Sequence, residues 1–403
     1  MKVLFVTWDG PQVTYLESLF LPIFSRLANH GIRFQVMQFT WGDAKRIALT
    51  RQVCEPLGIG YQAVSVWRRP RVLGAMLSVL SGARQVKKAV HMHSIDVVMP
   101  RSTLPALAVL LALRDMQCPM VFDADGLPLD ERVDFAGQSS SSLVHRLLRD
   151  VEAQAVLRAD VVLTRSTKAV EILHARAGAG SALDKFKVVS NGRDAERFKP
   201  ADAAQIEQTR GELGLTADAP LLVYAGSLGP QYCMDEMLQL FAIIRERRPD
   251  AHWLILTGSP EAVQPAIGKY SQLQGSVTTL TAPPQTVPQY LACADLGLAL
   301  RQPSFSMQAV APIKLGEYLL CGLSVIATAG IGDTDAITTD SGWLMRRMDD
   351  TELKEAADWF VGSVLPNREA YRASSRATGL KGFSLEASTT LYRNAFESLG
   401  FVS

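Results

Sequence analysis

The sequence predicts an α/β protein made of two doubly wound parallel-sheet domains, and three observations carry that prediction. Short apolar runs alternate with amphipathic helical patterns along most of the 403 residues, the order expected of right-handed βαβ units. At roughly 150 residues per domain, the length asks for two or three such bodies. The charge divides along the same line. Residues 1–200 hold 26 Lys and Arg against 18 Asp and Glu, a net +8, and the remainder holds 15 against 22, a net −7.

The elements follow in order. An apolar strand at residues 3–7 ends in the turn Asp9-Gly10-Pro11. Leu16, Leu19, Phe20, Ile23, Phe24 and Leu27 then recur at helical spacing, until Gly31 stops the helix. Further strands are expected at 32–39, 96–99, 120–123, 160–164 and 186–189, with helices at 104–113 and 142–159. A second set begins with the strand at 221–226 and a helix at 234–247. Strands at 253–257, 277–280, 296–300 and 324–328 follow, with helices at 287–293 and 313–321 and a closing amphipathic helix at 384–399. The expected division is 1–190 for the first domain, 191–383 for the second and 384–403 for a C-terminal helix packing back on the first.

Composition narrows the function classes. With 48% hydrophobic and 20% charged residues the chain is globular. Five cysteines, Cys54, Cys118, Cys233, Cys293 and Cys321, form no Cys-x-x-Cys pair, which argues against a disulfide scaffold or a zinc ribbon and fits a reducing cytoplasm. The six histidines show no metal spacing, and His91 and His93 read as helix-end surface residues. The longest apolar run, 104–113, is half of the ~20 residues a membrane-spanning helix needs. No Gly-x-Gly-x-x-Gly follows a strand, which disfavours a dehydrogenase.

The block from Pro312 to Ala327, PIKLGEYLLCGLSVIA, carries the most specific chemistry. Pro312 suits a first helical turn, so amides around Val310 and Ala311 are expected to face a ligand, and a helix N-terminus is suited to a diphosphate. Lys314 adds a cation. Glu317, one turn further along the axis than Ile313, is placed to accept two ribose hydroxyls.

This block resembles the signature of family 4-type glycosyltransferases of GT-B architecture, with Ser324 where those enzymes usually have Pro. Asn191-Gly192-Arg193-Asp194 with Phe198 and Pro200, then Tyr224-Ala225-Gly226-Ser227-Leu228, then residues 287–298 are similar to further family segments in the same order. In the first half, residues 122–126 with Glu131-Arg132-Val133-Asp134 resemble a subgroup acting in bacterial surface-polysaccharide assembly. The resemblance implies two Rossmann-like domains facing a central cleft. It implies metal-independent transfer, with retention, of a sugar from a UDP- or GDP-linked donor to a lipid-linked or other glycan acceptor. Glu317, Lys314 and Asp125 are then the catalytic candidates. Gly10, Gly226, Ser227, Met307, Gln308, Val310, Ala311 and Glu317 are the donor-binding candidates, and Arg101, Glu131 and Arg132 stand on the acceptor side.

Departures from the family pattern bear on the charge balance. The earlier of the family's two spaced Glu positions is Ala309 here, and the positions of its diphosphate Arg and Lys hold Ser227 and Tyr232. Compensation for a diphosphate must then come from the helix terminus, Lys314, Arg193 or Arg301. Asp123-Ala124-Asp125 has the spacing of a metal motif, but it sits at a first-domain strand end, so no metal and no other cofactor is expected. Arg68, Arg69, Arg71, Arg84, Lys87 and Lys88 interleave with Trp67, Leu73, Met76, Leu77 and Leu80. Peripheral contact with an anionic membrane, at the inner face of the plasma membrane, is one reading, and a core-packed helix with a basic outer face is the other. Nucleic acid is not an expected partner. A non-catalytic scaffold subunit of a polysaccharide-assembly complex and a GT-B-fold sugar-nucleotide epimerase are the alternative functions.

Overall fold

The computed structural model describes residues 1–178 and 180–400, with the side chain of Arg71 outside the described set. Residues 401–403, the end of the expected C-terminal segment, also lie outside it. The chain forms two compact units, residues 1–190 with the chain from Ser388 onward, and Asn191–Ala387.

Unit 1 contains β1 (Lys2–Trp8), α1 (Leu21–Ala28), β2 (Arg33–Thr40), α2 (Ala44–Cys54), β3 (Gly60–Ser65), α3 (Arg71–His93), β4 (Val97–Pro100) and α4 (Thr103–Ala112). It continues with β5 (Val121–Asp123), α5 (Pro128–Ala136), α6 (Leu143–Arg158), β6 (Val161–Thr164), α7 (Thr167–Ala177) and β7 (Phe186–Val188). The strands are parallel, in the orders β3-β2-β1-β4 and β5-β6-β7, and the bridges Val98↔Met120 and Arg101↔Asp123 join the two sheets. β1 and β4 are sequential in space but not in sequence, so the strand order reverses between them. Apolar side chains on both faces bury the central strands, as helices on both sides require. Phe5, Phe20, Phe24 and Phe34 pack ring on ring, and Phe396 meets Phe34 edge-on.

Unit 2 contains α8 (Ala203–Glu212), β8 (Leu221–Ala225), α9 (Met234–Arg247), β9 (His252–Leu256), α10 (Gln264–Ile267), β10 (Val277–Leu280) and α11 (Val287–Ala292). Then come β11 (Leu296–Ala299), α12 (Ile313–Leu320), β12 (Ser324–Thr328), β13 (Gly342–Met345), α13 (Asp350–Trp359) and α14 (Arg368–Phe383). Its six parallel strands run β10-β9-β8-β11-β12-β13, with the reversal between β8 and β11. A last helix, α15 (Leu385–Glu397), begins in unit 2 and continues in unit 1. Asp202 and Gln205 close a capping box at the start of α8. Asp295 is buried in an ion pair with Arg210 at 2.9 Å and accepts from the Leu221 amide, so it ties β8 to the entry of β11. Both units are mixed α/β with parallel sheets, the Rossmann-like pattern of a GT-B protein.

Several elements escape the periodicity reading. β3 is a sheet edge with a half-exposed, partly polar sequence, and β13, at the edge of the other sheet, is only four residues long. α8 and α14 are polar over most of their surface.

Candidate functional site

Ligands in open α/β sheets bind beyond the strand C-termini where the strand order reverses. Each unit has a charged cluster at that place. In unit 2, β8 delivers Gly226 and Ser227, β11 delivers Arg301, and α12 delivers Lys314 and Glu317. The loop after β8 is pinned from several sides. The Gly226 amide donates to Leu256 O at 2.9 Å, the Ala225 amide to the Tyr318 hydroxyl at 2.8 Å, and the Tyr224 hydroxyl to Ser227 O at 2.6 Å. Gly226 has φ +147°, and a Cβ there would stand 3.0 Å from Lys314 Nζ, so glycine is what lets the loop lie over the lysine.

Lys314 is buried. Its Nζ lies 3.8 Å from the ring centroid of Tyr224 and 4.4 Å from that of Tyr232, and has no hydrogen-bond partner among the described residues. Burial first, and then the Arg301 charge, pulls its pKa well below the ordinary lysine value, while Glu317 acts in the other direction. The Arg301 guanidinium lies 4.9 Å from the ring centroid of Tyr232 and donates to Met307 Sδ at 3.5 Å. One aromatic ring therefore supports two cations.

Glu317 does not stand alone. Arg193 donates to its Oε1 from Nε at 2.9 Å and from Nη2 at 2.5 Å. Asn191 Nδ2 donates to Ala311 O at 3.0 Å, so the Asn191-Gly192-Arg193 segment is laced to both ends of the loop–helix block. Arg193 thus fixes one oxygen of the Glu317 carboxylate.

Unit 1 places Asp9 beyond β1, Arg101 beyond β4, Asp123 at the end of β5 and Arg165 beyond β6. Arg165 Nη2 contacts both oxygens of Asp123 at 2.8 Å, and both residues are buried. Arg101 pairs with Asp125 at 2.7 Å and approaches Asp9 at 3.6 Å. Asp9 also accepts from the Thr7 hydroxyl at 2.7 Å and from Gln38 Nε2 at 3.2 Å. Ser102 and Asp125 have φ of 68° and 54°, left-handed values uncommon for residues other than glycine. Three carboxylates face two guanidinium groups here, so the cluster carries no excess positive charge.

The structure groups most, though not all, of the expected site residues. Gly226, Ser227, Lys314 and Glu317 come together, and Asp125 meets Arg101. Gly10 lies under the Trp41 ring beside Asp9 in unit 1. Pro312 is the residue before α12 rather than part of its first turn. The Val310 amide is not open to a ligand, because it donates to Met307 O at 3.3 Å and closes a short turn. The Met307 side chain is fully buried and supports Arg301 instead of meeting a sugar. Gln308 donates to Phe305 O at 3.1 Å, and the Ala311 carbonyl serves Asn191. Glu131 and Arg132 are exposed on α5, and the residue of that segment that turns inward is Asp130, ion-paired with Arg149 and Arg176. The tyrosine cage and Arg165 are the features that sequence reasoning missed. Position 232, an aromatic where the resemblance expects a lysine, and an Arg directly after a strand were the available signals.

Comparison with known proteins speaks to the family and the fold. A model of Glycosyltransferase Family 4 matches residues 23–197, and one of glycosyl transferases group 1 matches residues 219–362. The chain is 26% identical over 279 residues to the D-inositol 3-phosphate glycosyltransferase of Stackebrandtia nassauensis. That match covers 66% of this chain and 60% of the relative's length. Among solved structures, Anabaena Alr3699/HepE in complex with UDP and glucose superposes with a TM-score of 0.71 at 19% identity, covering 100% of both chains. The lipopolysaccharide outer core galactosyltransferase WaaB, in its apo form, superposes with a TM-score of 0.68 at 17% identity over 99% of this chain and 100% of that one.

Proposed function

Since the chain belongs to the family 4, group 1 glycosyltransferases, we propose that it moves a sugar from a UDP- or GDP-linked donor to a lipid-linked or other glycan acceptor in bacterial polysaccharide assembly. The observation that carries the reading is the buried Lys314 amine, without a hydrogen-bond partner among the described residues, beside Arg301 at the strand-order reversal of unit 2. A dense anion favours the charged form of such an amine, and a diphosphate is one. Glu317, with one oxygen held by Arg193, takes the ribose hydroxyls. As the glycosidic bond breaks, negative charge grows on the leaving diphosphate, and Lys314, Arg301 and the opening amides of α12 stabilise it. The proposed reaction retains the anomeric configuration and uses no metal, since these cations do the work a metal does elsewhere. Asp125 and Arg101 orient the acceptor hydroxyl. The proposed place of action is the cytoplasm, at the inner face of an anionic membrane.

The test is incubation of the full chain with labelled UDP- and GDP-sugars. Slow release of free sugar and nucleoside diphosphate is expected with one donor series, together with measurable binding of that diphosphate. Binding without turnover in any acceptor extract would favour the scaffold reading. Neither binding nor turnover across the panel would end the proposal.

A further inference from the structure

The outward side of α3 serves neither strand-end cluster. Its inner side is held at contact distance: a Cβ on Gly74 would meet Trp67 O at 2.3 Å, and one on Gly82 would meet the Phe39 ring at 2.1 Å. The helix therefore has a fixed rotation. Facing solvent are Trp67, Val72, Leu73, Met76, Leu77 and Leu80, each between 44% and 56% exposed. Leu73, Leu77, Leu80, Arg84 and Lys87 follow one another at spacings of four and three, a single stripe. Its first half is apolar and its second half is basic, with Lys88 beside it. Arg68 and Arg69 stand exposed at the other end of the apolar half, Arg68 with its guanidinium 5.0 Å from the Trp41 ring centroid. No Asp or Glu occurs between Glu55 and Asp96. Because α3 follows β3, its apolar first half lies at the C-terminal edge of the sheet, the edge that carries Asp9, Arg101 and Asp125.

We propose that α3 is a membrane-docking element that seats its apolar N-terminal half at the headgroup–acyl boundary of an anionic bilayer and lays Arg84, Lys87 and Lys88 along the headgroups. The stripe from Leu73 to Lys88 runs about 22 Å. A bilayer with anionic headgroups offers both chemistries side by side. A second copy of this face does not, since it offers the cations no carboxylate in the stretch. Docking here gives the membrane side of the protein the strand ends where the Proposed function places the acceptor. The docking itself needs no glycosyl transfer and stands or falls separately.

The test is flotation of the full chain with vesicles of phosphatidylcholine alone and of phosphatidylcholine with one third phosphatidylglycerol. Binding is expected on the anionic vesicles, little on the neutral ones, with loss at high salt. Leu77→Ser/Leu80→Ser and Arg84→Glu/Lys87→Glu/Lys88→Glu should each lower partitioning by about tenfold or more, while Lys87→Arg/Lys88→Arg retains it. UDP affinity, read on the same preparations, should stay unchanged, which separates this result from the fate of the nucleotide site. All substituted positions are exposed, and unchanged melting temperatures confirm folding. Equal binding to both vesicle types, no binding to anionic vesicles, or a solution dimer that Leu77→Ser/Leu80→Ser dissolves would each overturn the proposal.

Discussion

The two strand-end clusters occupy equivalent places in their sheets and are built on opposite electrostatic plans. In unit 1 both arginines are matched to carboxylates, Arg165 to Asp123 and Arg101 to Asp125 with Asp9 nearby. In unit 2 Lys314 has no hydrogen-bond partner among the described residues and stands over two tyrosine rings, and Arg301 is directed to a ring and a thioether. The halves' net charges run the other way, +8 for the first 200 residues and −7 for the rest. Net charge alone assigns an anion to the first half, yet the local chemistry of the first half suits neutral hydroxyls and that of the second suits phosphate. A site's preference is set by which charges are already satisfied, and the summed charge of a domain does not report that.

The largest expected effect lies in unit 1. Asp123→Asn leaves Arg165 buried without its counter-ion, which should cost about 3–5 kcal/mol, read as a lower denaturation midpoint for that unit. A cost below about 1 kcal/mol would mean the pair is solvated and the contrast between the clusters is false.

In unit 2, Glu317→Ala should weaken UDP binding about 10- to 100-fold, as expected for losing charged hydrogen bonds of about 1.5–3 kcal/mol. Inorganic pyrophosphate should bind at least as well as before, because Arg193 is released. Equal weakening for both ligands would move Glu317 from the ribose to the phosphates. A smaller effect follows from Lys314. Its depressed pKa means the empty folded protein binds fewer protons than the unfolded chain from that depressed value up to the ordinary 10.5, and stability rises with pH across that window. A diphosphate favours the charged amine, so binding takes up a proton. UDP affinity should therefore rise as pH falls from the ordinary lysine value towards the depressed one, by at most about tenfold per unit. Calorimetry in buffers of different protonation enthalpy checks this. The smallest effect expected is at Glu131, exposed on α5. Glu131→Ala should change UDP affinity by less than about 0.5 kcal/mol.

Much of the fold was legible because its central strands are buried on both faces and stand out as apolar runs: β8, β9 and β12 fall within a residue of where the periodicity puts them. The edge strands β3 and β13 and the polar helices α8 and α14 gave no such signal, because their stability comes from neighbours that one local window does not contain. The site was legible where a residue type has one strong use, as with Lys314 and Glu317 on one helix. It was illegible where the partner comes from far along the chain. Arg193 lies 124 positions from Glu317, and Asp123 lies 42 from Arg165. Val310 and Met307 were misread for a different reason. A loop before a helix reads as open, but this one closes on itself as a short turn and turns its methionine inward.

The central proposal is that the buried Lys314 amine, with no hydrogen-bond partner among the described residues, becomes charged to meet a diphosphate, and Lys314→Met tests it with two readings on one preparation. Removing a buried polar group that has no hydrogen-bond partner among the described residues should raise the melting temperature, while UDP affinity falls by about tenfold or more. A variant that melts lower, or that binds UDP as tightly as the parent protein, would contradict the claim.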